Sequence, residues 1–419
     1  MLRLSVMNQV VVTGIGLISP IGIGIEPFWQ ALLNGDSGIR AREEFSHTNW
    51  KFKLASQVLD FEGKQFVKPR KALKVMCRPI QFGCAAAKMA FDHSNVADHV
   101  DPERFSIVFG TESFYSDPNE VADVFRKCIV NQVYDHAKWG QFSMREIEPL
   151  WMLKYLPNMA ASHISIALDA RGPSNTICQS ESSGSLSIIE GSDLIRRGDA
   201  DVALVGGTGS PLSVTGAVYR GDQGLSSRVD EPALACRPFD RDRDGMVLGE
   251  GAGCLMLENR EFAEKRGANI LAQIGGYGRA FCLTDRPDFE KCLSYVMDRS
   301  IEEAGLDKSD IGHVNASGYS TQNDDAQEAN AIHNTLGDVP VIAPKSNFGN
   351  LGPGTSVVEL IASICALRAE QLPAVLNYTH PDSACPVNVT REVTATSKCS
   401  AVSINHSLTG QITAITVTA

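Results

Sequence analysis

The stretch VVVTGIGLISPIGIGIEPFWQALLNGDSGI, residues 10–39, carries the pattern that decides the fold. Val10 to Thr13 is a β-branched run that meets Gly14, and Glu26 to Leu33 has apolar residues at helical spacing. β-Branched runs favour strands, glycine marks turns, and an apolar period near 3.6 residues indicates a helix. The sequence therefore predicts that the chain opens as a strand ending at Gly14, a glycine-rich turn and a helix.

Helical and strand patterns alternate along the rest of the chain. Pro79 to Asp92 is typical of a helix with small residues on one side, and it precedes the strand pattern of Phe105 to Gly110. Later, a helical pattern over Cys292 to Ala304 leads through LDKSDIG to the strand pattern of His313 to Ala316. Such alternation predicts an α/β fold, and its recurrence indicates an internal duplication.

We place the two halves at residues 1–258 and 259–419. The glycines stand singly or in pairs and form no flexible tract between the halves, so we expect both halves to share one packed body. Ser116 to Glu148 is polar and irregular with scattered aromatic residues. This segment predicts an excursion of loops and helices.

Composition and charge narrow the class of protein. Of the 419 residues, 43% are hydrophobic and 21% are charged, which is the balance of an ordinary globular protein. Thirty-eight basic and 49 acidic residues give a net charge of -11, and no basic cluster is dense enough to follow a phosphate backbone. We therefore expect no nucleic-acid partner.

The cysteines and the apolar segments bear on cofactors and location. The 11 cysteines show neither a CxxC pair nor metal-ligand spacing, so we expect reduced, mostly buried thiols, no metal and no other cofactor. The apolar stretch at the start is short, is broken by Asn8 and Gln9, and lacks a small-residue cleavage site. No later window approaches the roughly 20 apolar residues that span a bilayer. The expectation is a cytoplasmic protein without a membrane segment.

Five segments in a fixed order resemble one enzyme family. After the opening stretch come PNMAASHISIALDARGPSNT, IIEGSDLIRRGDADVALVGGT, CRPFDRDRDGMVLGEGAG and APKSNFGN. They are similar to segments of the elongating β-ketoacyl carrier-protein synthases, and together they cover nearly the whole chain. The resemblance implies a thiolase-like fold of two similar α/β halves in αβαβα layers, normally assembled as a dimer.

The resemblance also implies that the family's catalytic residues are replaced. The family's nucleophilic cysteine falls seven residues after the serine of GPS, where this chain has Glu181 in the run CQSESSG. An acyl-glutamate would be an easily hydrolysed mixed anhydride. The two family histidines fall at Ser317 in ASGYSTQNDD and at Asn350 in KSNFGNLGP. Neither substitute exchanges a proton near neutral pH.

Four further residues match family positions that support the site. They are Lys345, Asp325, Glu328 and Glu359. We expect them to hold the loops of the site through buried ion pairs, because removing one partner of such a pair is costly.

Other residues near these motifs have competing interpretations. Cys178 could be a displaced nucleophile, but the strand leading to the turn predicts a packed thiol. Ser180, Ser182 and Ser183 lack a histidine base and are expected to cap a helix. His406 lies in SINHSLTGQ, where the family has a glycine- and phenylalanine-containing gating loop. It is a candidate replacement imidazole, although a packed or surface residue is the preferred interpretation.

Three functional hypotheses follow. The first is a condensation-inactive partner subunit, because chain-length factors in this family carry glutamine at the position of Glu181. The second is a decarboxylase or transacylase with an unfamiliar site, which the charge of Glu181 disfavours. The third is a module that binds acyl groups or carrier protein. The expected partners are an identical chain or a cysteine-bearing ketosynthase, and an acyl carrier protein.

Two segments bear on these partners. Lys68, Arg70, Lys71 and Lys74 could form a basic patch for an acidic carrier protein, although a solvated turn is the preferred interpretation. In PLWMLKYLPNM, the family resemblance implies a stretch along the twofold contact. Trp151 there either fills the core of its own subunit or closes the floor of the neighbour's tunnel, and core filling is preferred.

Overall fold

Helices and strands alternate in the computed structural model, which describes residues 8–43, 49–50, 52–221, 224–283 and 285–419. The strands are β1 Val10–Ser19, β2 Gly22–Ile23, β3 Ile39–Ala41, β4 Leu54–Ser56, β5 Phe105–Gly110, β6 Ile129–Val130, β7 Val133–Tyr134, β8 Ser174–Ile177, β9 Val202–Gly209, β10 Gly251–Asn259, β11 Ala272–Phe281, β12 His313–Asn315, β13 Pro340–Ile342, β14 Gln371–Leu372, β15 Asn388–Val389, β16 Thr394–Ala395, β17 Ser400–His406 and β18 Gln411–Thr418. The helices are α1 Ile25–Asn34, α2 Arg78–Ser94, α3 Ala122–Cys128, α4 Trp139–Glu146, α5 Met159–Leu168, α6 Ser183–Arg196, α7 Val214–Arg220, α8 Arg260–Lys265, α9 Phe289–Glu303, α10 Gln322–Leu336, α11 Lys345–Phe348 and α12 Thr355–Ala369.

The opening strand is longer than the sequence predicted. β1 continues through Gly14 and Gly16 to Ser19 instead of ending at Gly14. A Cβ atom at Gly14 would lie 2.2 Å from the carbonyl oxygen of Ala90, and one at Gly16 would lie 2.0 Å from that of Ala86. These glycines therefore let α2 pack directly on the strand, and they do not form a turn.

The strand order repeats between the two halves. The principal sheet runs β15-β13-β12-β17-β18-β11-β1-β10-β9-β5-β8. In the first half, β1, β10 and β9 are antiparallel neighbours, and β9, β5 and β8 are parallel. In the second half, β11, β18 and β17 are antiparallel, and β17, β12 and β13 are parallel. This repetition confirms the predicted α/β fold with duplicated halves, whereas the boundary at residue 258 stays a prediction.

Helices cover both faces of this sheet and fill the space between its halves. α6 and α12 contact each other, α6 also contacts β9 and β5, and α12 also contacts β10 and β17. α2 and α5 lie on the outer face of the first half, while α9 and α10 lie on that of the second. The layers therefore run helix, strand, helix, strand, helix, as predicted. They place the starts of α6 and α12 together at the centre.

The segment predicted as an excursion contains α3, α4 and the short β6–β7 hairpin. Several of its apolar side chains are exposed, among them Phe125, Ile129, Val133 and Met144. Of the helices in the described parts of the chain, none combines the length and apolar character that crossing a bilayer requires.

Candidate functional site

Glu181 lies in the sharp connection between β8 and α6. It belongs to a 3-10 turn over Ser180–Ser182 that leads directly into the helix, and Ser180 has a left-handed φ of 49°. The side chain of Glu181 is only 2% exposed. A carboxylate at this place benefits from the positive end of the helix dipole.

Two side chains bind the carboxyl group of Glu181. Asn350 Nδ2 donates a hydrogen bond to Oε1 at 3.1 Å, and Arg220 Nη1 lies 3.4 Å from the same oxygen. The amide oxygen of Asn350 in turn accepts hydrogen bonds from Gly352 N–H and from the hydroxyl of Thr355. These contacts fix the amide so that its nitrogen faces Glu181. Oε2 of Glu181 has no hydrogen-bond partner among the described residues.

Ser317 is fully buried but makes no hydrogen bond to Glu181 in the described part of the chain. Its hydroxyl donates to Ile404 O at 3.3 Å, and its backbone N–H donates to Glu328 Oε1 at 2.7 Å. Of the three residues that the sequence predicts at the family's catalytic positions, Glu181 and Asn350 are therefore in direct contact, while Ser317 is bonded to β17 and α10.

The predicted supporting residues form a buried charged layer beneath these loops. Lys345 Nζ lies 2.7 Å from Glu359 Oε1. Glu328 accepts the backbone N–H groups of Ser317 and Gly318, and Asp325 accepts that of Phe239. Burial raises the pKa of each of the three carboxyl groups to about 7, although these donors and Lys345 oppose the rise. These contacts connect the four residues to neighbouring loops, and their role in supporting the site stays a prediction.

The structure corrects two expectations next to Glu181. Cys178 is exposed rather than packed, because β8 lies at the edge of the sheet. Its thiol lies 3.4 Å from the hydroxyl of Thr111. Ser182 precedes α6 but makes no capping bond, and its hydroxyl donates to Asn405 Oδ1 at 2.9 Å. Ser183 donates to backbone carbonyls, so these serines tie the turn to its neighbours instead of capping the helix.

His406 is a packed core residue. Its ring is fully buried and lies edge-on to the rings of Tyr319 and Phe289, at centroid distances of 4.8 and 5.2 Å. Burial, together with a smaller effect of the nearby charge of Lys345, lowers the pKa of its imidazole to about 3. The imidazole is therefore neutral at physiological pH. The packed interpretation agrees with this environment better than the catalytic one.

A cavity of about 1230 Å³ opens beside Glu181. Its lining includes Glu181 itself together with Arg220, Leu408, Lys74 and Lys154. The wall includes Glu112, a residue that sequence reasoning missed. The signal was an acidic residue two positions after the end of the buried strand β5, in the run FGTES.

Burial raises the pKa of Glu112 to about 7. The negative charge of Glu181 adds to the rise, whereas the backbone N–H of Ser210 and the charge of Arg220 oppose it. The cavity therefore contains a carboxyl group that titrates near neutral pH, close to a second carboxyl group that is held by two nitrogen donors.

Trp151 lies near the cavity in a 3-10 turn over Trp151–Tyr155. It is partly buried, and its ring lies 5.6 Å from that of Tyr155. Lys154 and Tyr155, which line the cavity, both contact Glu120. This placement, outside the buried hydrophobic clusters of the described chain, gives less support to core filling than the sequence suggested.

One group of side chains has the spacing of metal ligands in the described residues: Asp240, Asp242 and His380. Asp240 already accepts backbone N–H groups of Asp242, Thr379 and His380. These hydrogen bonds account for the position of the Asp240 carboxylate, which anchors the turn.

Comparisons with known proteins agree on one family. The family model described as Beta-ketoacyl synthase, N-terminal domain, matches residues 7–263, and the corresponding C-terminal domain matches residues 285–379. The 3-oxoacyl-(acyl-carrier-protein) synthase 2 of Vibrio cholerae is 32% identical over 398 residues, which cover 92% of each chain.

Two solved structures are similar along nearly the whole chain. A beta-ketoacyl synthase from Burkholderia phymatum has a TM-score of 0.88 at 26% identity, covering 98% of this chain and 99% of that one. The ishigamide ketosynthase/chain length factor has a TM-score of 0.86 at 26% identity, with the same coverage. The layered fold described above is thus the thiolase-like fold of ketosynthases.

The buried pair of Lys345 and Glu359 predicts a pH-dependent loss of stability. Lys345→Met leaves the Glu359 carboxylate without its cation, so the free energy of unfolding at pH 8 is expected to fall by about 3–5 kcal/mol. The deficit should shrink between pH 8 and pH 5, because Glu359 then keeps its proton in the folded state while an unfolded glutamate, with a pKa of about 4.3, does not. Denaturant titrations at both pH values measure this.

The double variant Lys345→Met/Glu359→Leu is the matched control. It buries no charge at this place and should recover most of the stability. A deficit that is independent of pH, or a double variant as unstable as the single one, would contradict this account.

Proposed function

The chain belongs to the beta-ketoacyl synthase family, and from this premise we propose that it is a condensation-inactive partner subunit in fatty-acid or polyketide-type biosynthesis. The observation that carries the proposal is the buried carboxylate of Glu181, held by Asn350 and Arg220, at the position that the sequence resemblance aligns with the family's nucleophile. The name of one structural relative, a ketosynthase/chain length factor, provides a precedent for such a pair.

The environment of Glu181 disfavours its acylation. A carboxylate that attacks a thioester forms a mixed anhydride as the thiolate leaves, and water readily hydrolyses this product. Hydrogen bonding to Asn350 and the charge of Arg220 stabilise the anion and so lower its nucleophilicity. Both properties support a role in which Glu181 forms no acyl-enzyme intermediate.

The decarboxylation step lacks its donors as well. Enolate charge would develop on the thioester oxygen, where condensing enzymes need donors that are free to point at it. The amide nitrogen of Asn350 donates to Glu181 and also faces Met246 Sδ at 3.8 Å, and Ser317 uses its hydroxyl on Ile404. A malonyl carboxylate would also approach Glu181 against its negative charge.

We expect no condensing activity from the purified protein. With an acyl chain and malonyl groups on carrier protein, mass spectrometry should detect no 3-oxoacyl product and no acylated protein. Glu181→Cys alone should not restore activity, because a thiolate without the two imidazoles lacks both carbonyl donors. The triple variant with Ser317→His and Asn350→His should give a trace at most.

A cysteine-bearing ketosynthase assayed in parallel controls for the substrates. Robust elongation by the unaltered chain would refute the proposal. Acylation of the chain when it is purified alone would remove the main support for a partner-subunit role.

A dimer is part of this proposal. β8 ends the described sheet, and its residues Ser174 and Asn175 are exposed, so its outer edge is available for pairing. Leu150 and Met152 are large apolar residues that are also exposed. Exposed apolar side chains together with a free strand edge favour association with an identical or a homologous subunit.

Trp151→Ala separates an interface role from core filling. The protein purified alone should lose about 1 kcal/mol of stability or less, as expected away from the core. The dimer should weaken in sedimentation experiments, or the ketosynthase partner should release longer products. Trp29→Ala is the matched control, because Trp29 is a 7%-exposed core residue whose loss should cost about 3–5 kcal/mol. A wild-type protein that stays monomeric at micromolar concentration would contradict the interface.

A basic segment that reaches the cavity lining at Lys74 favours docking of a carrier protein. Lys68, Arg70, Lys71 and Lys74 are exposed, and none makes an ion pair with another described residue. Lys74 belongs to the cavity lining. An acidic carrier protein bound there would deliver its acyl group to the cavity, whereas a merely solvated turn would need no cavity beside it.

Lys71→Glu should weaken the binding of an acidic holo carrier protein about tenfold at low salt, and less at 0.5 M salt, because the contact is electrostatic. Lys265→Glu on α8 makes the same change in net charge away from the cavity lining and should leave the affinity unchanged. Equal losses in both variants would point to net charge rather than to docking at this segment. Fluorescence anisotropy with labelled carrier protein measures the affinities.

A further inference from the structure

Glu112 lies in the cavity wall two residues after the end of β5, and the proposed function does not use it. Its Oε1 accepts a hydrogen bond from Ser210 N–H at 3.1 Å. Two glycines leave room for the carboxyl group, since a Cβ at Gly209 would lie 3.2 Å from Oε1 and one at Gly352 would lie 3.2 Å from Oε2. The backbone therefore holds this carboxyl group in a fitted place within the wall.

The arginines of the same wall are already engaged. Their partners are Glu250 for Arg78 at 2.8 Å, Glu181 for Arg220 at 3.4 Å, and the carbonyl oxygen of Leu212 for Arg42 at 2.9 Å. No described cation forms an ion pair with Glu112. Its ionisation therefore adds a negative charge to the wall that no described ion pair compensates.

We propose that Glu112 determines which acyl groups the cavity accepts: it admits uncharged acyl groups, accepts a hydrogen bond from a hydroxyl group on them, and excludes carboxylated ones. This inference rests on the proposed function in one respect, namely that acyl thioesters enter the cavity. A hydroxyl on the chain offers Glu112 a donor. A malonyl group instead brings a second anion toward Glu112 and Glu181.

Selectivity should depend on pH. The charged groups that face Glu112 are Glu181, which favours its protonation, and Arg220, which opposes it. Cys77 and Tyr115 also face it, and burial raises the pKa of both, that of Cys77 to about 12, so neither is charged near neutral pH. Below pH 7 Glu112 is mostly neutral and repels little, whereas above pH 7 the carboxylate forms and repels an anionic acyl group. Discrimination against malonyl should therefore grow from pH 6 to pH 8.

Calorimetric titration of the full chain with pantetheine thioesters tests the proposal without carrier protein. At pH 8, 3-hydroxyhexanoyl-pantetheine should bind more tightly than hexanoyl-pantetheine, and about tenfold more tightly than malonyl-pantetheine. The margin over malonyl should narrow at pH 6. In Glu112→Gln the penalty on malonyl should fall to the part that Glu181 contributes, and it should no longer change between pH 6 and pH 8.

Glu120→Gln is the matched control, because it removes a cavity carboxylate that already contacts Lys154 and Tyr155. It should retain the wild-type order of affinities. Equal binding of the three thioesters, binding of none, an unchanged preference in Glu112→Gln, or an equal change in Glu120→Gln would each overturn the proposal.

The failures of the two proposals are distinguishable. A chain that does not condense and shows no preference among the thioesters would rule out only the proposed role of Glu112. A chain that condenses and also shows the predicted preference among the thioesters would rule out only the partner-subunit proposal.

Discussion

The close approach of the two halves at Pro353 is the constraint on which the site depends. A Cβ at Gly184, in the first turn of α6, would lie 2.4 Å from Pro353 O, and one at Gly207 on β9 would lie 2.1 Å from the same atom. Real side chains cannot occupy such space without moving backbone. Glycine at both places therefore lets the turn before α12 rest directly on α6 and β9.

This contact places the starts of α6 and α12 side by side, and the chemistry of the site follows from it. Glu181 precedes α6 and Asn350 precedes α12, so the hydrogen bond between them joins the two halves of the molecule. Ser356, in the first turn of α12, also donates to the backbone oxygen of Glu181. A residue at the position of Glu181 is consequently held by both halves, whatever its chemistry.

The sequence was most informative where one local rule dominates. Periodicity predicted helix α2 and strand β5, and ordered motifs predicted the duplicated layers. The sequence was misleading at Gly14, because a glycine that permits close packing cannot be distinguished in a sequence from a glycine that permits a turn. It missed the exposure of Cys178, since an edge strand cannot be distinguished locally from an interior one. Glu112 escaped notice for a related reason: its importance comes from distant residues, Glu181 and Arg220, that only the fold brings near.

The residues predicted to differ from the family pattern and those predicted to match it obey one energetic rule. A neutral polar group such as Ser317 or Asn350 can occupy a buried site if its own hydrogen bonds are satisfied, and both are bonded to neighbouring backbone or side chains. Glu181 adds a charge to a site that is 2% exposed, which is tolerable because Arg220 at the end of α7 supplies the counter-charge. Lys345 and Glu359 cannot change singly in this way, since either alone would be a buried unpaired charge. Catalytic residues can thus be replaced one by one while the charged support beneath them persists, and a family resemblance carried by that support is evidence of fold rather than of turnover.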